Sequence, residues 1–175
     1  GYATRDYNDV AKLDPGAASQ IAIEKAELSK NPVALEPGKY TVILEPAASF
    51  ELLRNMTFNM DARQTDEGRA FLAKAGGGTK VGEKLFDERV TIYSDPTHPQ
   101  VPTVTWYGDG RPQERMVWIE KGVVKNLFYS RYWAQKKGVK AIPPPANGIM
   151  EGGTATVEDK IKATKTGILV SRTWY

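Results

Sequence analysis

Two apolar runs, Gln113 to Glu120 and Val123 to Tyr129, flank the dipeptide Lys121-Gly122, and they constrain the fold more than any other stretch. Two residues can join only antiparallel neighbours, because a parallel pair needs a crossover of a dozen residues or more. The run therefore reads as a β-hairpin. Arg89 to Tyr93 alternates in the same way and predicts a further strand, while Asp95-Pro96-Thr97-His98-Pro99 must be a loop because two prolines punctuate it. Tyr40 to Leu44 is β-branched and apolar enough for a buried strand, and Gly167 to Val170 begins another. Helix signals lie between these strands. Asp14 as N-cap and Pro15 at the first position open a helix expected to run to about Lys30, before Asn31-Pro32. Phe50, Leu53, Met56 or Thr57, and Met60 recur at three- and four-residue spacing, a face expected to enter the core. Asp66 to Leu72 reads as a short helical piece ended by the loop Gly76-Gly77-Gly78. Ser130 caps a helix through Lys136 that Gly138 ends, and Thr156 to Lys162 offers one more. Strands joined by hairpins and interrupted by helices predict an α+β fold with a mostly antiparallel β-sheet and interspersed helices.

The 175 residues, 41% of them hydrophobic, suit a single soluble domain spanning 1–175. No window is apolar enough for a membrane helix and residues 1–20 lack the regions of a signal peptide, so the expected place is the cytoplasm and no membrane partner is expected. With no cysteine there is no disulfide framework, thiolate nucleophile or cysteine-ligated metal, and with His98 as the sole histidine no site built on two imidazoles exists within the chain.

Several stretches invite a functional reading. Gly76-Gly77-Gly78-Thr79-Lys80 has the glycines of a phosphate loop in the wrong order, with a helix expected before it and a strand after it. His98 lies near Asp95 in sequence, but no recognisable hydroxyl nucleophile accompanies the pair, and a surface loop histidine accounts for it. Asp66, Glu67, Asp87 and Glu88 offer carboxylates for acid-base work and equally read as solvated charged edges. Arg131, Lys136, Lys137 and Lys140, interleaved with Tyr132 and Trp133, are the one basic segment suited to nucleic acid. The net charge is only +3, and an amphipathic helix with both rings turned inward explains the same residues, so nucleic acid is the alternative partner and not the expected one.

Four blocks carry a family likeness: Glu36 to Ala48, Asp66 to Leu72, Gly82 to Pro96, and Trp118 to Leu127. In order and content they resemble the TldD/PmbA family, also called modulators of DNA gyrase, and the chain would be a central piece of a longer member. The resemblance implies a two-subunit cytoplasmic metallopeptidase system acting in proteolysis and maturation of small or unfolded peptides, such as microcin precursors and an antitoxin. Its zinc-bearing subunit carries His-Glu-x-x-x-His directly after a strand. Here that window reads Glu45-Pro46-Ala47-Ala48-Ser49-Phe50, so Glu45, Pro46 and Phe50 stand at the three functional positions and the ligands are lost. The likeness is therefore to the PmbA/TldE type, without zinc or any other cofactor of its own and inactive alone. Zinc is expected only in a TldD-like partner subunit, with a peptide substrate, a homo-oligomer as the other assembly, and Glu45 and Glu51 as peptide or partner contacts.

Overall fold

The computed structural model describes residues 1–173, and these divide into two compact units. The first holds residues 1–51 together with the segment from Thr154 onward; the second runs from Leu52 to Gly153.

In the first unit, helix α1 spans Pro15–Leu28 and begins as the sequence predicts, with the Asp14 carboxylate accepting from the Ala17 amide at 2.9 Å. It stops two residues before the expected end, at Ser29, whose amide returns to the carbonyls of Ala26 and Glu27. Strand β1 is Val42–Leu44 and pairs in parallel with β6, Ile168–Val170, in the register Val42 with Ile168 and Leu44 with Val170. The expected buried strand from Tyr40 is thus shorter and partly solvated, because a two-stranded sheet leaves Val42 and Leu169 exposed. Helix α5, Val157–Ala163, precedes β6 and carries a full capping box: Asp159 accepts from the Thr156 amide and Thr156 from the Asp159 amide. Ala48 is the one buried apolar residue among the described residues of this unit.

The division between the units falls inside α2, Pro46–Phe58. Its predicted stripe is only partly right. Leu53, Thr57 and Met60 are buried, and the Thr57 hydroxyl is satisfied by donating to the Leu53 carbonyl at 2.9 Å, but Phe50 is 50% exposed. The period fixes which residues share a face; the packing partners, which begin at Leu53, decide how far along the face burial extends.

In the second unit, the short helix α3 spans Ala62–Asp66, capped by Asp61, whose carboxylate accepts from Gln64 at 2.7 Å. It therefore ends where the sequence reading began its helix at Asp66, and Leu72 reaches the core from a turn. Strands β2 (Ile92–Ser94), β3 (Met116–Glu120), β4 (Val123–Val124) and β5 (Ile149–Met150) form an antiparallel sheet in the order β4-β3-β2-β5. Lys121 and Gly122 both adopt positive φ, +47° and +80°, as a type I′ hairpin turn requires. The ladder is shorter than predicted for two reasons. Before β3, Gln113 donates to the Thr105 carbonyl instead; beyond Val124 one backbone bond remains, from the Lys125 amide to the Trp118 carbonyl at 2.8 Å, and the Asn126 side chain then takes the Val117 carbonyl at 2.7 Å. Helix α4, Arg131–Lys137, runs from the Ser130 cap to Gly138 as expected. Trp133 is buried, yet Tyr132 is 62% exposed, so only one of the two rings turns inward.

The core of this unit gathers Leu53, Met60, Leu72, Ile92, Trp118, Ile119, Val124, Leu127 and Trp133. Each such side chain contributes about 1.5–3 kcal/mol by leaving water. The antiparallel sheet backed by helices is the α+β architecture predicted from the hairpin.

Candidate functional site

The window that matches the zinc motif lies where β1 passes into α2. Glu45 is the last extended residue: its amide donates to the Val170 carbonyl at 3.0 Å, and its own carbonyl accepts the Ser49 amide at 2.9 Å. Pro46 follows at the first helical position, where its missing N–H costs nothing. The Glu45 carboxylate is held by the Lys25 ammonium of α1 at 2.5 Å, both side chains being mostly buried. Glu45, Pro46 and Lys25 line a cavity of about 540 Å³, with Arg5, Glu24 and Glu158 among its other charged walls. Glu51 is partly buried and does not line it.

A zinc ion does not fit this window. An ammonium already occupies the only carboxylate at the three motif positions, Pro46 has no proton acceptor, and Phe50 presents an exposed ring. Among the described residues, no group of three or more histidine, cysteine or acidic side chains gathers in a way that could hold a metal. The sequence gives no sign of Lys25, twenty residues upstream in the apolar-patterned helix α1, as the partner of Glu45.

The other candidates are brought into structural pairs. Asp95 accepts from the Thr97 amide and hydroxyl at 2.9 and 2.8 Å, while His98 Nδ1 accepts from Gln100, so no dyad forms between them. Asp66 accepts from the Trp133 indole at 2.8 Å and faces Lys137 at 3.1 Å. In the basic segment Arg131 lies 3.6 Å from Asp109 and Lys140 lies 3.9 Å from Glu114, while Lys136 and Lys137 sit over the Trp133 ring. The triple glycine closes a turn from Lys74 to Gly78, with no helix after it to aim amides at a phosphate.

Hydrogen bonds from Arg63 and Arg69 hold the Glu67 carboxyl down to about 2. The Arg89 side chain holds Asp87 well below the usual carboxylate range, and Arg111 lowers Asp109. These groups stay charged at neutral pH and are the opposite of a proton donor poised near 7. Their lowered values have a thermodynamic consequence. Because folding depresses each pKa, the stabilisation is complete above the unfolded values near 4 and is lost as pH falls toward the folded ones. The urea midpoint is therefore expected to hold level from pH 7 to about 5 and to decline between about 4.5 and 2. The Glu67 and Asp87 pairs face solvent, and only Arg111 of the third pair is buried, so the decline should be modest and shrink in 1 M salt. A midpoint unchanged down to pH 2.5 would contradict it.

The sequence model described as the PmbA/TldA metallopeptidase C-terminal domain matches residues 37–175. A metalloprotease of Archaeoglobus fulgidus is 39% identical over 59 residues, which is 34% of this chain and 14% of that protein. An uncharacterized protein of Methanocaldococcus jannaschii is 28% identical over 128 residues, 72% of this chain and 29% of that one. Among solved structures, a protein described as a modulator of DNA gyrase from Bacteroides thetaiotaomicron superposes with a TM-score of 0.79 at 26% identity, covering 92% of this chain and 36% of that one. TldE from Thermococcus kodakarensis gives 0.77 at 25%, covering 92% and 39%. The chain thus spans well under half the length of these relatives. With the family match running through most of its length, the chain belongs to the PmbA/TldD metallopeptidase family.

Proposed function

We propose that this chain is part of a PmbA/TldE-like component of a TldD/TldE-type peptidase system, cytoplasmic, and that it helps form the substrate cavity and bind a zinc-bearing partner. The observation that carries the reading is the Lys25–Glu45 ion pair at the first position of the motif window, followed by Pro46 and an exposed Phe50. Those residues keep the strand-to-helix geometry and have none of its metal chemistry. The neighbouring cavity of about 540 Å³ has the size of a peptide-binding cleft.

Mixing the chain with a family member that retains His-Glu-x-x-x-His tests this. Sedimentation velocity should show a heavier species than either protein alone, and hydrolysis of a small unstructured peptide should require the zinc-bearing member. No association, with hydrolysis unaffected by this chain, would overturn the proposal.

A further inference from the structure

The second unit has a cavity that the motif window does not involve. It is about 330 Å³, the size of one amino-acid ligand, at the lower end of ligand sites. Its floor is apolar: Met116 and Trp118 from β3, with Ile142 from the segment after α4. Trp118 is 1% exposed and its indole donates to the Ser94 hydroxyl at 3.0 Å, so the ring backs the floor, and the apolar surface open to a ligand is that of the half-buried Met116 and Ile142.

One wall is a buried guanidinium. The Arg111 side chain is 10% exposed. Its Nε donates to both Asp109 oxygens at 3.0 and 2.9 Å, and its Nη1 donates to the Tyr129 carbonyl at 2.6 Å. No bond from Nη2 accompanies these, and since no buried side-chain nitrogen among the described residues lacks a partner, that donor is open to solvent. At the mouth stand Arg131 and Lys140, both exposed, with Glu114 as the one carboxylate in the lining. Counting Asp109 behind Arg111, three cations face two anions. An apolar floor beneath a surplus cation and an unfilled guanidinium donor matches a ligand that joins a bulky apolar group to a carboxylate.

We infer that this cavity holds the C-terminal residue of a peptide, its apolar side chain on Met116 and Ile142 above the Trp118 ring and its terminal carboxylate toward Arg111, Arg131 and Lys140. The inference rests on the proposed peptide-handling role for the choice of a peptide as occupant. The charge and shape of the cavity alone select its end group.

The probe is N-acetyl-L-phenylalanine, compared with its uncharged amide, titrated into the whole chain while the Trp118 indole N–H is followed by NMR. The acid is expected to bind about ten-fold more tightly than the amide and to shift that resonance, with the preference weakening in salt. Arg131→Gln combined with Lys140→Gln changes two exposed side chains, so the fold should survive, and the preference should drop to about three-fold or less. Lys162→Gln, in the other unit, should leave it intact. Equal affinity for acid and amide, saturable shifts confined to other residues, or no saturable shift with either compound would each overturn the inference. No zinc-bearing partner enters this titration. Binding of the acid without any partner association would therefore sink the proposed function and leave the cavity assignment standing, and the reverse result would do the opposite.

Discussion

Trp118→Ala is expected to lower the stability of the second unit by about 3–5 kcal/mol, a large part of what a domain of this size has. The ring is 1% exposed on the central strand β3, and its removal opens a cavity in the middle of the core cluster. It also strips the buried Ser94 hydroxyl of its indole donor, held at 3.0 Å. Trp118→Phe keeps a six-membered ring but loses the indole N–H and part of the ring volume, so a smaller loss of about 1–3 kcal/mol is expected. Trp106→Ala removes a ring that is 62% exposed and should shift stability by about 0.5 kcal/mol or less. Urea denaturation followed by circular dichroism separates the three. Equal midpoints for Trp118→Ala and Trp106→Ala would refute this description of the core.

Gly122→Ala should be nearly as damaging from a buried position in a hairpin turn. Gly122 has φ +80°, and a Cβ there would lie 2.2 Å from the Phe86 carbonyl oxygen and 2.9 Å from that of Asp87. The clash is with backbone that cannot retreat, since the Gly122 carbonyl accepts the amides of Leu85 and Phe86 and its amide donates to Val90. Positive-φ strain of about 1–3 kcal/mol and overpacking of about 1–3 kcal/mol act together. Gly138→Ala is the matched control: φ is +68° but nothing lies within 4 Å of the new Cβ, so only the strain of about 1 kcal/mol applies. Thermal denaturation of both variants measures the difference, and similar losses would mean that the close approach at Gly122 is not a constraint.

The same contrast explains what could be read from the sequence. Lys121-Gly122, the caps at Asp14 and Ser130, and the stop at Gly138 are local devices whose chemistry acts within a few residues, and each appears where the sequence places it. Periodicity gave the stripe of α2 without its extent, so Phe50 was expected in the core and is exposed. It likewise gave no means of separating Tyr132 from Trp133. Asp66 and Glu67 resembled a helix start because acidic residues favour a first turn, yet Asp61 five residues earlier takes the cap.

Parallel pairing of β1 with β6 joins the two ends of the first unit and has no local signal. The two features with most functional content are of this non-local kind. Lys25 meets Glu45 because a helix and a strand end pack together, and the Arg111 cavity is assembled from β3, the loop before it and the segment after α4. The motif window is located by the family resemblance, and its chemistry is read from residue types: glutamate, proline and phenylalanine at those positions contain no imidazole.

Zinc content is the most direct test of the proposed non-zinc role. After dialysis against micromolar zinc and then metal-free buffer, mass spectrometry of the chain should find less than about 0.1 zinc per molecule, because Glu45 is committed to the Lys25 ammonium and no group of histidine, cysteine or acidic side chains that could hold a metal gathers among the described residues. Close to one zinc per chain, retained through dialysis and accompanied by peptide hydrolysis without any partner, would contradict the account.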